Sequence, residues 1–190
     1  RTIRSTRISF VSTTPINGYK RNSGTSYSSA LVSGAAALLA SYSPSLSSQE
    51  LKYRLKAGSE SLYRNGKNSF YKNKLGVGRL NIYKAMAFTN AWLELDSIAF
   101  SDIEGGAIEQ ADTVEVSAWI ANYLNNENGV RATLRDLSNY ATVLDSFWVI
   151  PFMAKDQKEN NALNPFRIRL DSSIPQNEEL EFEIEIISQN

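Results

Sequence analysis

Between Asn22 and Gln49 the chain carries no Lys, Arg, Asp or Glu. Inside that interval, Ser26 to Ser41 is a run of Ala, Leu, Ser, Val and Gly with a single Tyr, which predicts a helix. A helix with no charged face has no side made for water and is normally buried all round. Gly34 in its middle lowers helix propensity by about 1 kcal/mol relative to Ala. That cost makes sense where another element packs against the helix closely. Ser26 stands at the start of the run. There the backbone N–H groups lack intrahelical partners and the helix dipole is positive. A hydroxyl at such a place is well set to serve a substrate that develops an oxyanion.

The order Gly24-Thr25-Ser26, then Val32, Gly34 and the run Ala35 to Ala40, resembles the nucleophile segment of the subtilisin-like serine proteases, the subtilases. Further stretches fit in the same order. Val11-Ser12-Thr13-Thr14-Pro15 with Tyr19 and Ser23-Gly24 is similar to the family's strand and loop before the serine. Ser43-Pro44-Ser45-Leu46-Ser47 is similar to the start of its next helix. Leu75-Gly76-Val77-Gly78-Arg79-Leu80-Asn81 is similar to its Gly-x-Gly turn into the last catalytic-domain helix. Four ordered matches over residues 8 to 91 are far more specific than an isolated Gly-Thr-Ser. The chain departs from the family pattern at Ala30, where the family has proline, and has Tyr27 directly after the serine.

The resemblance implies roles for three residues. Ser26 would be the nucleophile, its own N–H supplying half of an oxyanion hole, and Gly24 and Thr25 would form the turn that presents it to substrate. The family runs aspartate, histidine, serine in chain order, with an oxyanion asparagine between the last two. This sequence contains no histidine. A serine without an adjacent base is a weak nucleophile, so the chain alone is expected to be inactive. The expectation is a C-terminal piece of a larger protease whose remainder supplies the Asp and the His. The implied substrate is a peptide or protein, and the implied location is secreted, cell-surface or periplasmic.

A length of 190 residues allows one or two domains. The net charge is zero, but residues 1–91 hold 14 basic residues against two acidic ones, and residues 92–190 hold six against 18. The basic residues are spread over loops and helix faces, without the interleaved aromatics of a nucleic-acid groove, so no nucleic-acid partner is expected. With no cysteine there is no disulfide framework. The apolar run Ala30 to Ala40 is too short for a membrane span.

The fold expected is α/β for residues 1–91, the C-terminal portion of a subtilisin-like three-layer parallel-sheet domain. An all-β, immunoglobulin-like sandwich is expected for residues 92–190. In the first part Ile8 to Ser12 reads as a strand and Asn17-Gly18 as a turn. Ser47 and Glu50 form a capping box with Leu46 and Leu51 as a staple, and Gly58 closes that helix in a left-handed turn. Residues 64 to 74 read as a loop, and a third helix runs from Asn81 to Asn90. Trp92 to Ala99 reads as a hinge. Beyond it the period is two: Val114 to Ile120, Val130 to Leu134, Thr142 to Ile150, Phe166 to Leu170 and Leu180 to Ile186, with the turn Asn125 to Gly129 after the first. Val-x-Val-x-Ala-x-Ile-Ala-Asn followed by Val-x-Ala-x-Leu resembles immunoglobulin-like modules appended to secreted bacterial enzymes.

Other chemistry is sparse. Asp102 with Glu104, and the series Glu179 to Glu185, read as solvated faces or an edge defended by charge. No cofactor is expected; for a calcium site in the intact protein, Asp112, Asn125, Asn126, Glu127 and Asn128 are the oxygen donors on offer. Trp92, Trp119, Trp148 and Phe147 read as core. A non-catalytic protease-like scaffold with a β-sandwich binding module is the alternative function, and a carbohydrate-binding β module a third.

Overall fold

The computed structural model describes residues 12–13, 19–20, 24–63, 68–71, 74–175 and 177–188. The chain divides into two units, Arg1–Phe88 and Thr89–Asn190.

In the first unit, β1 (Ser12–Thr13) pairs antiparallel with β2 (Tyr19–Lys20). Residues 8 to 11 and the Asn17-Gly18 turn lie outside the described residues. Helix α1 spans Thr25–Tyr42, α2 Ser48–Ala57 and α3 Ile82–Ala87. The α2 start is the capping box expected: Glu50 N donates to Ser47 Oγ at 3.2 Å, and Ser47 N donates to Glu50 Oε2 at 2.8 Å. Leu46 and Leu51 pack beside a small core of Ala35, Leu39, Leu55 and Ala85. Leu39 is fully enclosed there, a burial that stabilises by about 1.5–3 kcal/mol.

Three expectations for this unit need correction. First, α1 is not buried all round. It buries Ser28, Ala35 and Leu39, while Leu31, Leu38 and Tyr42 are 37%, 52% and 65% exposed. Helices α2 and α3 cover one side, and no parallel sheet lies among the described residues to cover the other. An added Cβ at Gly34 would meet nothing within 4 Å. Second, Gly58 is not left-handed: its φ is −73°. Glycine is needed because a Cβ would lie 2.3 Å from Ala85 N, so α3 packs directly on the end of α2. Third, α3 ends at Ala87, short of Asn90.

The second unit is built from antiparallel strands. Strand β3 is Leu93–Asp102, β4 Thr113–Asn122, β5 Glu127–Asp136, β6 Ala141–Asp145, β7 Phe147–Met153, β8 Lys158–Asn160, β9 Phe166–Leu170 and β10 Phe182–Ile187. One sheet has the order β3-β4-β9-β6, with β8 also pairing to β4; the other is β10-β5-β7. Their inner faces share one core. Val114, Val116, Ala118 and Ile120 from β4 and Phe166 and Ile168 from β9 meet Val130, Ala132 and Leu134 from β5 and Ile150 from β7. This arrangement is compatible with a β-sandwich.

Here too the sequence reading is revised. Trp92 to Ala99 is no hinge: most of it lies in β3, whose alternation is interrupted by a bulge between Leu95 and Ser97. Thr142 to Ile150 is not one strand, because the chain leaves one sheet at Asp145 and joins the other at Phe147. Phe147 points outward and is 62% exposed, not core. The turn before β5 is shorter than read, since the strand begins at Glu127.

Buried asparagines tie the strand connections to the sheets. Asn161 Oδ1 accepts from Ala118 N at 2.7 Å, and its Nδ2 donates to Val116 O. Removing that side chain strands a buried amide of the central strand. Asn161→Ala is expected to lower stability by about 1–3 kcal/mol, read as an earlier denaturation midpoint for the β unit. Gly58→Ala is expected to cost about 1–3 kcal/mol by overpacking. Hydrogen exchange should show that loss in α2 and α3 and not in the strands.

Candidate active site

Ser26 is the second residue of α1, and Gly24, its N-cap, is extended with φ 162° and ψ 154°. Gly24, Thr25 and Ser26 are all exposed. Among the described residues Ser26 Oγ makes no hydrogen bond. The helix start has no side-chain cap. It is held instead from inside: Ser28, largely buried, donates from both its amide and its hydroxyl to Gly24 O, each at 3.4 Å. By helix geometry the N–H groups of the first turn have no carbonyl to bond within the helix. The arrangement therefore presents a free hydroxyl beside donors at the positive end of an 18-residue helix.

Among the described residues nothing in the packing requires glycine at position 24. The backbone there is extended, and an added Cβ would touch the Tyr27 ring at an ordinary 3.5 Å. The candidate calcium donors are not brought together. Asp112 precedes β4 and accepts from Glu109 N at 2.6 Å, whereas Asn125 to Asn128 follow β4. There Asn126 Oδ1 accepts from Lys155 N and Glu127 Oε1 from Asn128 N. Among the described residues no three metal-ligating side chains cluster. No helix there is long and apolar enough to cross a membrane.

The structure assembles one polar network that sequence reasoning missed. Glu60 pairs with Arg79 through backbone bonds of 2.8 Å in both directions. Its carboxylate accepts from the Arg79 guanidinium, from Asn81 Nδ2 at 3.0 Å and from Lys84 Nζ at 3.3 Å. Gly78 permits this closure: a Cβ would lie 2.3 Å from Glu60 O, and its φ is +142°. The partners lie 19 and 21 positions away in sequence, so no local pattern announces them. Hydrogen bonding from Arg79 first, then Asn81 and Lys84, lowers the Glu60 pKa from 4.5 to about 2. A perturbed carboxyl can mark a catalytic group. Here every partner is a donor that clamps the loop before α3, and the role is structural.

Residues 2–78 match the subtilase family. The match contains Ser26 and both glycines of the Gly76-Val77-Gly78 turn. It supports a protease-like function for this part of the chain in general terms, and a peptide substrate with it. A comparison with curated proteins finds no match.

The clamp has a pH signature. The folded pKa of Glu60 lies below its unfolded value, so its contribution to stability is present above about pH 4.5. That contribution is lost as pH falls from there toward 2. Thermal unfolding of the helical unit is expected to fall over that window in the native chain. In Glu60→Gln it should start lower and fall less steeply. Equal slopes in the two proteins would remove Glu60 as the clamp.

Proposed function

We propose that this chain carries the nucleophile segment of a subtilisin-like serine endopeptidase. The observation behind the proposal is Ser26, an exposed hydroxyl at the open N-terminus of an uncharged helix, inside the segment that matches the subtilase family. In the intact enzyme Ser26 Oγ attacks the scissile carbonyl carbon while its proton passes to a histidine outside this sequence. The carbonyl oxygen takes the negative charge and accepts a hydrogen bond from the Ser26 N–H. The tetrahedral intermediate collapses to an acyl-enzyme as the amine leaves with the histidine's proton. Water, deprotonated by the same base, then releases the acid and restores Ser26. Thr25 and Gly24 form the turn beside the substrate, and the absence of a side chain at Gly24 leaves room for the substrate backbone.

The remaining protease polypeptide supplies the Asp, the His and the second oxyanion donor. It also supplies the sheet that covers Leu31 and Leu38 of α1. The β unit is an immunoglobulin-like module that supports stability or attachment, and the whole protein is exported. The alternative of a non-catalytic scaffold draws on Ala30 and Tyr27, the two departures from the family pattern.

A fluorophosphonate probe separates the two. The complete protein, with its histidine, should label at one serine, and Ser26→Ala should abolish labelling. The 190-residue chain should not label above background. A complete protein that carries the histidine and is not labelled would rule out the protease reading.

A further inference from the structure

The β unit has an open corner. The chain passes from β6 to β7 through the single residue Ser146, so those two edges adjoin. Strands β3 and β10 are therefore the edges on the opposite side of the core. Leu95, Ile98 and Phe100 of β3 stand opposite Ile120, Ala118 and Val116, so they point toward the core side. Yet they are 39%, 39% and 49% exposed, while their β4 neighbours are at 0–1%. Across from them, β10 pairs with β5 alone among the described residues, and its inward Ile184 and Ile186 are only partly buried. Two neighbouring apolar rows thus lie uncovered beside a strand with a free hydrogen-bonding edge.

We infer that the free edge of β10 accepts an extended segment of another polypeptide as an added antiparallel strand, one with apolar residues at alternate positions and Lys or Arg between them. Backbone N–H and C=O groups of β10 supply the hydrogen bonds, and the apolar side chains cover Ile98 and Phe100. The charge preference follows from Glu179 and Glu181, exposed just before β10, and from Glu185 on it, which is exposed although it also pairs with Arg135 of β5. A second copy pairing β10 with β10 would set these acidic rows against each other, which is unfavourable. This inference is independent of the protease reading.

The test uses the 190-residue chain and a labelled short peptide of alternating Lys and Val. A control peptide is N-methylated at the amides that would bond to β10. Binding is read by fluorescence anisotropy, and the bound edge by hydrogen exchange of the residue 182–187 amides that point away from β5. The plain peptide should bind and protect those amides at least about tenfold, and Phe100→Ser and Glu181→Lys should each weaken it about tenfold. Both positions are exposed in the free chain, so folding should survive. Equal binding of the N-methylated peptide, or no protection of β10 at millimolar peptide, overturns the inference. Protection that instead accompanies concentration-dependent dimerisation of the chain makes a second copy the occupant, and overturns it too.

Discussion

An uncharged helix needs apolar cover on every side, and α1 has it on one. Ala35 and Leu39 are closed over by α2 and α3, but Leu31, Leu38 and Tyr42 face outward. Exposed apolar surface of this kind on one element marks a place where something else is meant to pack. The covered side depends on α2 and α3 being held together. Gly58 lets α3 come within backbone contact of α2, and the Glu60 network fixes the loop that leads into α3. Both devices act on the covered side, and neither touches the N-terminus where Ser26 sits.

The β unit solves the same problem differently. Its apolar rows come from two sheets and close on each other, so the core residues of its central strands are at most 5% exposed. What ties the strand connections to the sheets is polar. Asn161 bonds both Ala118 N and Val116 O. Asn122 donates to the carbonyls of Asn125, Met153 and Ala154. Buried amides bonded to backbone in this way set register, because any slip leaves them unsatisfied.

How much of this the sequence discloses depends on range. The capping box at Ser47 and Glu50 is a local contract between residues three apart, and it stands in the structure as read. The four main strands announce themselves because one face is buried and the other wet. The errors occur where a long-range contact overrides a local rule. Gly58 looks like a left-handed cap, but Ala85 is the reason for it. The bulge after Leu95 shifts the apolar parity and hides β3. The break at Ser146 is subtler: Val143 faces the core in β6, whereas Trp148 and Ile150 do so in β7, so the inward parity changes from odd to even. Exposed Leu144 and Phe147 filled the gaps and made two strands look like one. Strand β8, Lys158-Glu159-Asn160, has no apolar residue to betray it.

The proposed site reads from the sequence as a segment and not as a constellation, for a chemical reason. A serine at a helix start gains donors for an oxyanion from its own backbone, and those are encoded within a few residues. The base that must take its proton is encoded elsewhere in any triad, since imidazole and hydroxyl meet through the fold and not through sequence adjacency. Electrostatic stabilisation by the helix start also depends on excluding water from around it. With one side of α1 open, the Ser26 amide and hydroxyl compete with solvent, and the dipole is screened. The same surface that covers Leu31 and Leu38 would dry the helix start. On the proposed reading, completing the apolar packing of α1 and raising the reactivity of Ser26 are one structural event.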